Sequence, residues 1–77
     1  MEVLLSNMVL GQKGIVKSLN VEGAIRRRLF DMGITPGADV VMVKRAPLGD
    51  PIEITLRGYQ LSLRKSEAIG VLVEVNN

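Results

Sequence analysis

Residues 52–65 read "IEITLRGYQLSLRK" and carry the cleanest structural signal in the chain. Ile52, Ile54 and Leu56 alternate with polar residues, the period-two pattern of a strand with one buried face. Gly58-Tyr59 fits a two-residue type II′ turn, which takes glycine at its first central position. With that turn, Arg57 faces Gln60, Leu56 faces Leu61, Ile54 faces Leu63, and Glu53 faces Arg64. Apolar residues then meet apolar residues on the inner face, and an acid meets a base on the outer one. A slip of one residue would turn the whole set inside out.

Upstream of this hairpin, the loop "APLGDP" (46–51) is shaped by Pro47, Gly49 and Pro51. Before it, "ADVVMVKRA" (38–46) reads as another strand. The period changes in "VEGAIRRRLFDMG" (21–33), where Ile25, Leu29 and Met32 recur at i, i+4 and i+7 as one helical stripe. Gly33 suits the left-handed C′ position of that helix, and Ile34 the hydrophobic contact of a Schellman close. Pro36-Gly37 fits the centre of a type II turn. "KGIVKSL" (13–19) has the β-branched look of a first strand. Downstream, "KSEAIG" (65–70) reads as a single helical turn with Ser66 as its cap. "VLVEV" (71–75) closes as a last strand, with Val71, Val73 and Val75 on one face.

Five short, mostly antiparallel strands need their edges covered. The expected fold is therefore mainly β, a small SH3-like five-stranded barrel. One short α-helix follows strand one and plugs an end, and a helical turn precedes the last strand. At 77 residues the chain makes a single domain with a thin core. That core is aliphatic, since Phe30 and Tyr59 are the only aromatics, and with no cysteine it must hold by packing alone.

Composition also bounds the chemistry. No hydrophobic run approaches the ~20 residues of a membrane span, and an acid at position two with no basic stretch argues against a signal peptide. A cytoplasmic protein is expected. The net charge of +2 is a weak argument for nucleic acid or an anionic surface. Histidine is absent, so the commonest general base and metal ligand is missing. The four serines have no imidazole to activate them, and no phosphate-binding glycine loop or clustered D-x-D is present. These absences predict a non-enzyme with no cofactor and no metal site.

Taken in order, "GQKGIVKSL", "RRRLFDMGITPG", "VVMVKRAPLGDPIEITLRGYQLSLRKSEA" and "VLVEV" resemble the FeoA family, small SH3-like proteins of bacterial ferrous-iron uptake. The resemblance runs from about Leu5 to Val75. It is most specific in Arg28, Leu29, Met32, Gly33 and Gly37, and in "APLGDP" followed by Y-x-L-x-L-R. It implies a cytosolic adaptor or regulator of the membrane ferrous transporter FeoB, acting by protein contact. A chain with neither His nor Cys is a poor iron carrier, which agrees with contact to the transporter rather than to the metal.

On a helical wheel, Arg26, Arg27 and Phe30 point away from the core, while Arg28 flanks the buried stripe within reach of a carbonyl or carboxylate. The expected partner surface comprises Arg26, Arg27, Phe30, Leu48, Asp50 and Tyr59, because exposed aromatic, arginine and apolar loop residues are what interfaces favour. Three readings compete with it. Arg26 and Arg27 are a solvated face, with Arg27 and Asp31 as an i,i+4 pair. Arg26, Arg27, Lys44 and Arg45 grip nucleic acid. Asp31 and Asp50 sense a metal ion.

Overall fold

The inward-facing aliphatic residues of six antiparallel strands meet in one core in the computed structural model, which describes residues 1–76. In chain order the elements are β1 (Glu2–Leu4), a 3-10 turn (Leu5–Asn7), β2 (Lys13–Leu19) and α1 (Gly23–Asp31). They continue with β3 (Asp39–Arg45), β4 (Ile52–Leu56), β5 (Tyr59–Leu63), α2 (Lys65–Ala68) and β6 (Val71–Val75). The strand order is β1-β6-β2-β3-β4-β5. The fold is the mainly β, SH3-like architecture expected, with one strand more. β1 is the addition, pairing Val3 with Val73 of β6, so α1 follows the second strand rather than the first.

Alternation in the sequence becomes alternation in burial. Ile52, Ile54 and Leu56 of β4, and Val71, Val73 and Val75 of β6, are all buried. Bulges interrupt the β2–β6 ladder between Val16 and Ser18 and the β3–β4 ladder between Met42 and Lys44. An extra residue on one strand bends it and increases its twist, which lets a six-stranded sheet curl around a small core. At the two outer strands, α2 packs against the 3-10 turn that follows β1, bringing the ends of the sheet together. Leu5, Met8 and Ala68 are buried in that seam. The Arg45 guanidinium ties it down, donating to the carbonyls of Ser6 (2.8 Å) and Met8.

The β4–β5 hairpin differs from expectation in register. Ile52 faces Leu63, Ile54 faces Leu61, Thr55 faces Gln60 and Leu56 faces Tyr59. The two-residue turn is Arg57-Gly58, with φ of 49° and 89°, the positive pair of a type I′ turn. Each partner is displaced by two positions from the expected pairing, and an even displacement keeps every side chain on its face. The apolar set therefore stays inward, while the expected Glu53–Arg64 pair is lost and Glu53 faces Ser62.

α1 ends as its local chemistry dictates. The Gly33 N–H donates to the Phe30 carbonyl (2.9 Å) and the Ile34 N–H to the Leu29 carbonyl (3.0 Å), the two bonds of a Schellman close. Gly33 holds φ of 93°, which a side chain would resist. The Ala38 N–H then donates to the Thr35 carbonyl (3.0 Å) across Pro36-Gly37, closing the expected turn. The helix turns only Leu29 fully into the core. Met32 is half-buried and Ile25 is 44% exposed, so the expected three-residue stripe narrows to its middle.

α2 is capped by Glu67, not by Ser66. A Glu67 carboxylate oxygen accepts the Arg64 backbone N–H (3.0 Å), and the other accepts Arg28 Nε (2.8 Å), which joins α1 to α2. Arg28 thus reaches a carboxylate, as its place beside the buried stripe predicts. Glu67→Ala leaves the part-buried Arg64 N–H and the Arg28 guanidinium without this acceptor. The expected loss is about 1–3 kcal/mol, read by denaturant unfolding. Glu67→Gln keeps an acceptor for Arg64 and is expected to lose less.

Candidate functional site

The outward face of α1 is built from residues left over by packing. With Leu29 pointing inward, Arg26, Phe30, Gly23 and Arg27 follow one another around one flank of the helix and border a shallow depression of about 420 Å³. Arg26 Nη1 donates to the Leu19 carbonyl at the end of β2 (2.9 Å), and the guanidinium carbon lies 5.0 Å from the centre of the Phe30 ring. That is cation–π distance, so the helix and the end of β2 fix the arginine and the ring together. Phe30 remains 39% exposed. The Arg27 side chain makes no hydrogen bond or ion pair among the described residues, and the expected pair with Asp31 does not form.

Leu48 and Asp50 belong to a second surface. The loop after β3 is braced by the Gly49 N–H on the Ala46 carbonyl (2.7 Å) and the Ala46 N–H on the Pro51 carbonyl (3.0 Å). Asp50 Oδ1 accepts the Lys65 backbone N–H at the start of α2 (2.9 Å), so this carboxylate serves the scaffold. Leu48, at 97% exposure, projects from the tip. Tyr59 faces Leu56 and shares its inward side, but it begins an outer strand and is 70% exposed.

The six expected partner residues do not form one patch. α1 precedes the start of β3, and the Arg57 guanidinium ties the β4–β5 turn, with Tyr59 beside it, to Thr35 Oγ1 at that same end (3.0 Å). Leu48 and Asp50 lie beyond the other end of β3. Seven strand residues separate the two groups by on the order of 20 Å. This division also separates the basic residues of the nucleic-acid reading. Arg45 is committed to Ser6 and Met8, Arg26 to Leu19, and Lys44 stands at the far end of β3 from Arg27. Asp31 and Asp50 are likewise at opposite ends. Among the described residues no three acidic, His or Cys side chains gather where a metal ion could sit.

On the β1–β2–β6 surface, the hydrogen bond to Glu2 and its charge raise the Lys17 ammonium above the ordinary lysine value. The N-terminal ammonium bonded to Glu74 holds that carboxyl below the usual range. Lys17 thus stabilises the fold below the ordinary lysine pKa and loses that effect as pH rises through its own. Glu74 stabilises above the ordinary carboxylate pKa and loses its effect as pH falls through its lowered value. Both side chains are about half exposed, so salt screens these contributions.

Residues 3–75 match the FeoA domain family model. The chain belongs to the FeoA domain family. Over 71 residues, 92% of this FeoA domain, it is 31% identical to the Fe(2+) transport protein A/Fe(2+) transporter FeoB fusion protein of Porphyromonas gingivalis. It spans 8% of the length of that protein. A FeoA-like protein from Clostridium acetobutylicum is 43% identical with a TM-score of 0.90, the match covering 99% of this chain and 88% of the other. FeoA of Stenotrophomonas maltophilia, solved with zinc and described as a prokaryotic SH3 domain protein, is 33% identical. Its TM-score is 0.80 over 96% of this chain and 89% of that one.

Sequence reasoning missed two features of the site. The Arg26–Phe30 stack is visible as an i,i+4 spacing once the helix phase is set by Leu29 alone. The commitment of Arg45 has no local signal, because its acceptors come from a segment 37 and 39 residues away.

Proposed function

We propose that this FeoA domain is a non-catalytic adaptor or regulator of ferrous-iron transport that works by contact with a FeoB-type membrane transporter. The observation that carries this reading is the Porphyromonas gingivalis relative, in which a FeoA segment and a FeoB transporter share one polypeptide. Covalent union of two components fits partners that work side by side. No helix among the described residues is long and apolar enough to cross a membrane. In this reading the transporter supplies the span and the domain works at its cytoplasmic face.

Two surfaces are the candidate contacts: the α1 face with Arg26, Arg27 and Phe30, joined at its end of the fold by Tyr59, and the loop with Leu48 and Asp50. Each offers the exposed aromatic, arginine or aliphatic anchor that dominates interface energetics. In a pull-down against purified FeoB, Phe30→Ala and Leu48→Ala are each expected to weaken retention about tenfold, the effect of an anchor worth about 1.4 kcal/mol. Because the surfaces are separate, the double variant is expected to lose the product of the two effects. Retention unchanged in both single variants overturns the choice of surface. Absence of wild-type binding overturns the function.

A further inference from the structure

We infer that the outward face of α1 binds a short acidic segment of a partner protein, its carboxylates on Arg26 and Arg27 and an apolar side chain against Phe30. The partner's biological role rests on the adaptor reading above, whereas the binding chemistry rests on the geometry alone.

Charge is the first argument. α1 carries three consecutive arginines, and only Arg28 is neutralised by a carboxylate, Glu67. The other ion-paired side-chain cation among the described residues is Lys17, bonded to Glu2. Arg26 and Arg27 meet no carboxylate within ion-pair distance among the described residues, and even with Asp31 counted on the same helix α1 keeps one positive charge in excess. The Arg26 guanidinium has five N–H donors, and a single carbonyl, that of Leu19, accepts from it. The donors that remain suit the paired oxygens of a carboxylate.

Preorganisation is the second. Arg26 is already held between Leu19 and the Phe30 ring, so little side-chain freedom remains for a ligand to remove. The exposed part of Phe30 borders the same depression as both arginines, so one ligand can meet all three. An extended nucleic-acid backbone would need more cations in line, and Lys44 lies at the far end of β3. A lipid surface would need projecting apolar side chains, whereas this face offers one ring beside a hollow.

The test uses the whole chain, labelled with ¹⁵N and titrated with two synthetic peptides. One is acetyl-Glu-Asp-Leu-Glu-Glu-amide, and the other carries lysine at each acidic position. The acidic peptide is expected to shift the amides of residues 23–31, and the basic peptide to leave them unmoved. Arg27→Glu is expected to weaken binding at least tenfold and Phe30→Ala several-fold, with unchanged circular dichroism, while Leu48→Ala binds as wild type. Raising salt from about 50 to 500 mM should weaken it further, since exposed charge pairs are screened. An equal response to both peptides overturns the inference, as does a silent α1, or binding confined to vesicles of phosphatidylcholine and phosphatidylglycerol. If the acidic peptide binds but Phe30→Ala leaves FeoB retention intact, the inference stands and the α1 face is removed from the transporter contact.

Discussion

Leu29→Ala is expected to remove about 2–5 kcal/mol of stability, the range for truncating a fully buried leucine. A 77-residue domain has roughly 4–12 kcal/mol in total, so the variant approaches the limit of folding. The reason lies in the narrowness of the α1 contact. Leu29 is 0% exposed, while Ile25 is 44% exposed and Met32 is only half-buried, so one side chain carries most of the helix's anchorage. Losing it also loosens the carbonyl of Leu29 that closes the helix on Ile34. Thermal unfolding provides the measurement, with each kcal/mol worth about 4–8 °C at this size. Ile25→Ala is the matched control, and a shift as large as that of Leu29→Ala would show that the helix packs on a broader stripe. Leu29→Met, which conserves volume, should cost less than about 1.5 kcal/mol.

Gly14→Ala is expected to be the next most damaging change, at about 1–3 kcal/mol. Gly14 sits in β2 between β3 and β6, facing Val40 and Val75. A Cβ there would lie 2.4 Å from Val73 Cγ1, 2.9 Å from Val75 Cγ1 and 2.8 Å from the Glu74 carbonyl oxygen. The methyl groups have some freedom to move, but the carbonyl belongs to the β6 backbone and does not. The ladder must therefore open to admit even one carbon. A double variant, Gly14→Ala with Val73→Ala, separates these contributions. It should cost less than the sum of its parts, because removing Val73 Cγ1 relieves one clash, yet remain worse than Val73→Ala alone because the carbonyl stays. Full additivity would mean that the approach is relaxed elsewhere.

Legibility in the sequence followed the range of each interaction. The close of α1 and the turn after it were readable to the residue, since Gly33, Ile34, Pro36 and Gly37 act within a few positions of one another. The β4–β5 hairpin was readable in its faces but not in its partners. A glycine-first turn was the economical reading of Arg57-Gly58-Tyr59, yet Arg57 itself takes positive φ. That left-handed arginine is held by neighbours from elsewhere, its N–H on the Asp39 carbonyl (3.2 Å) and its guanidinium on Thr35. β1 escaped notice because three residues are too few for a pattern, and their strand character comes from β6, seventy positions along the chain. Arg26, Arg27, Phe30 and Leu48 were readable as exposed residues. Their division into two surfaces required the length and direction of β3.

β1 lies alongside β6 with Glu2 opposite Glu74, so the domain begins and ends at one place. Leu19 faces Val71 where β2 leads toward α1, whereas Gly14 faces Val75 near the other limit of the same ladder. A polypeptide joined before Glu2 or after Val75 would therefore depart from the side of the barrel opposite the α1 helix. Such a tether can be cut, lengthened or moved from one terminus to the other without crossing the basic helix, which makes the domain a plug-in part whose points of attachment lie away from α1.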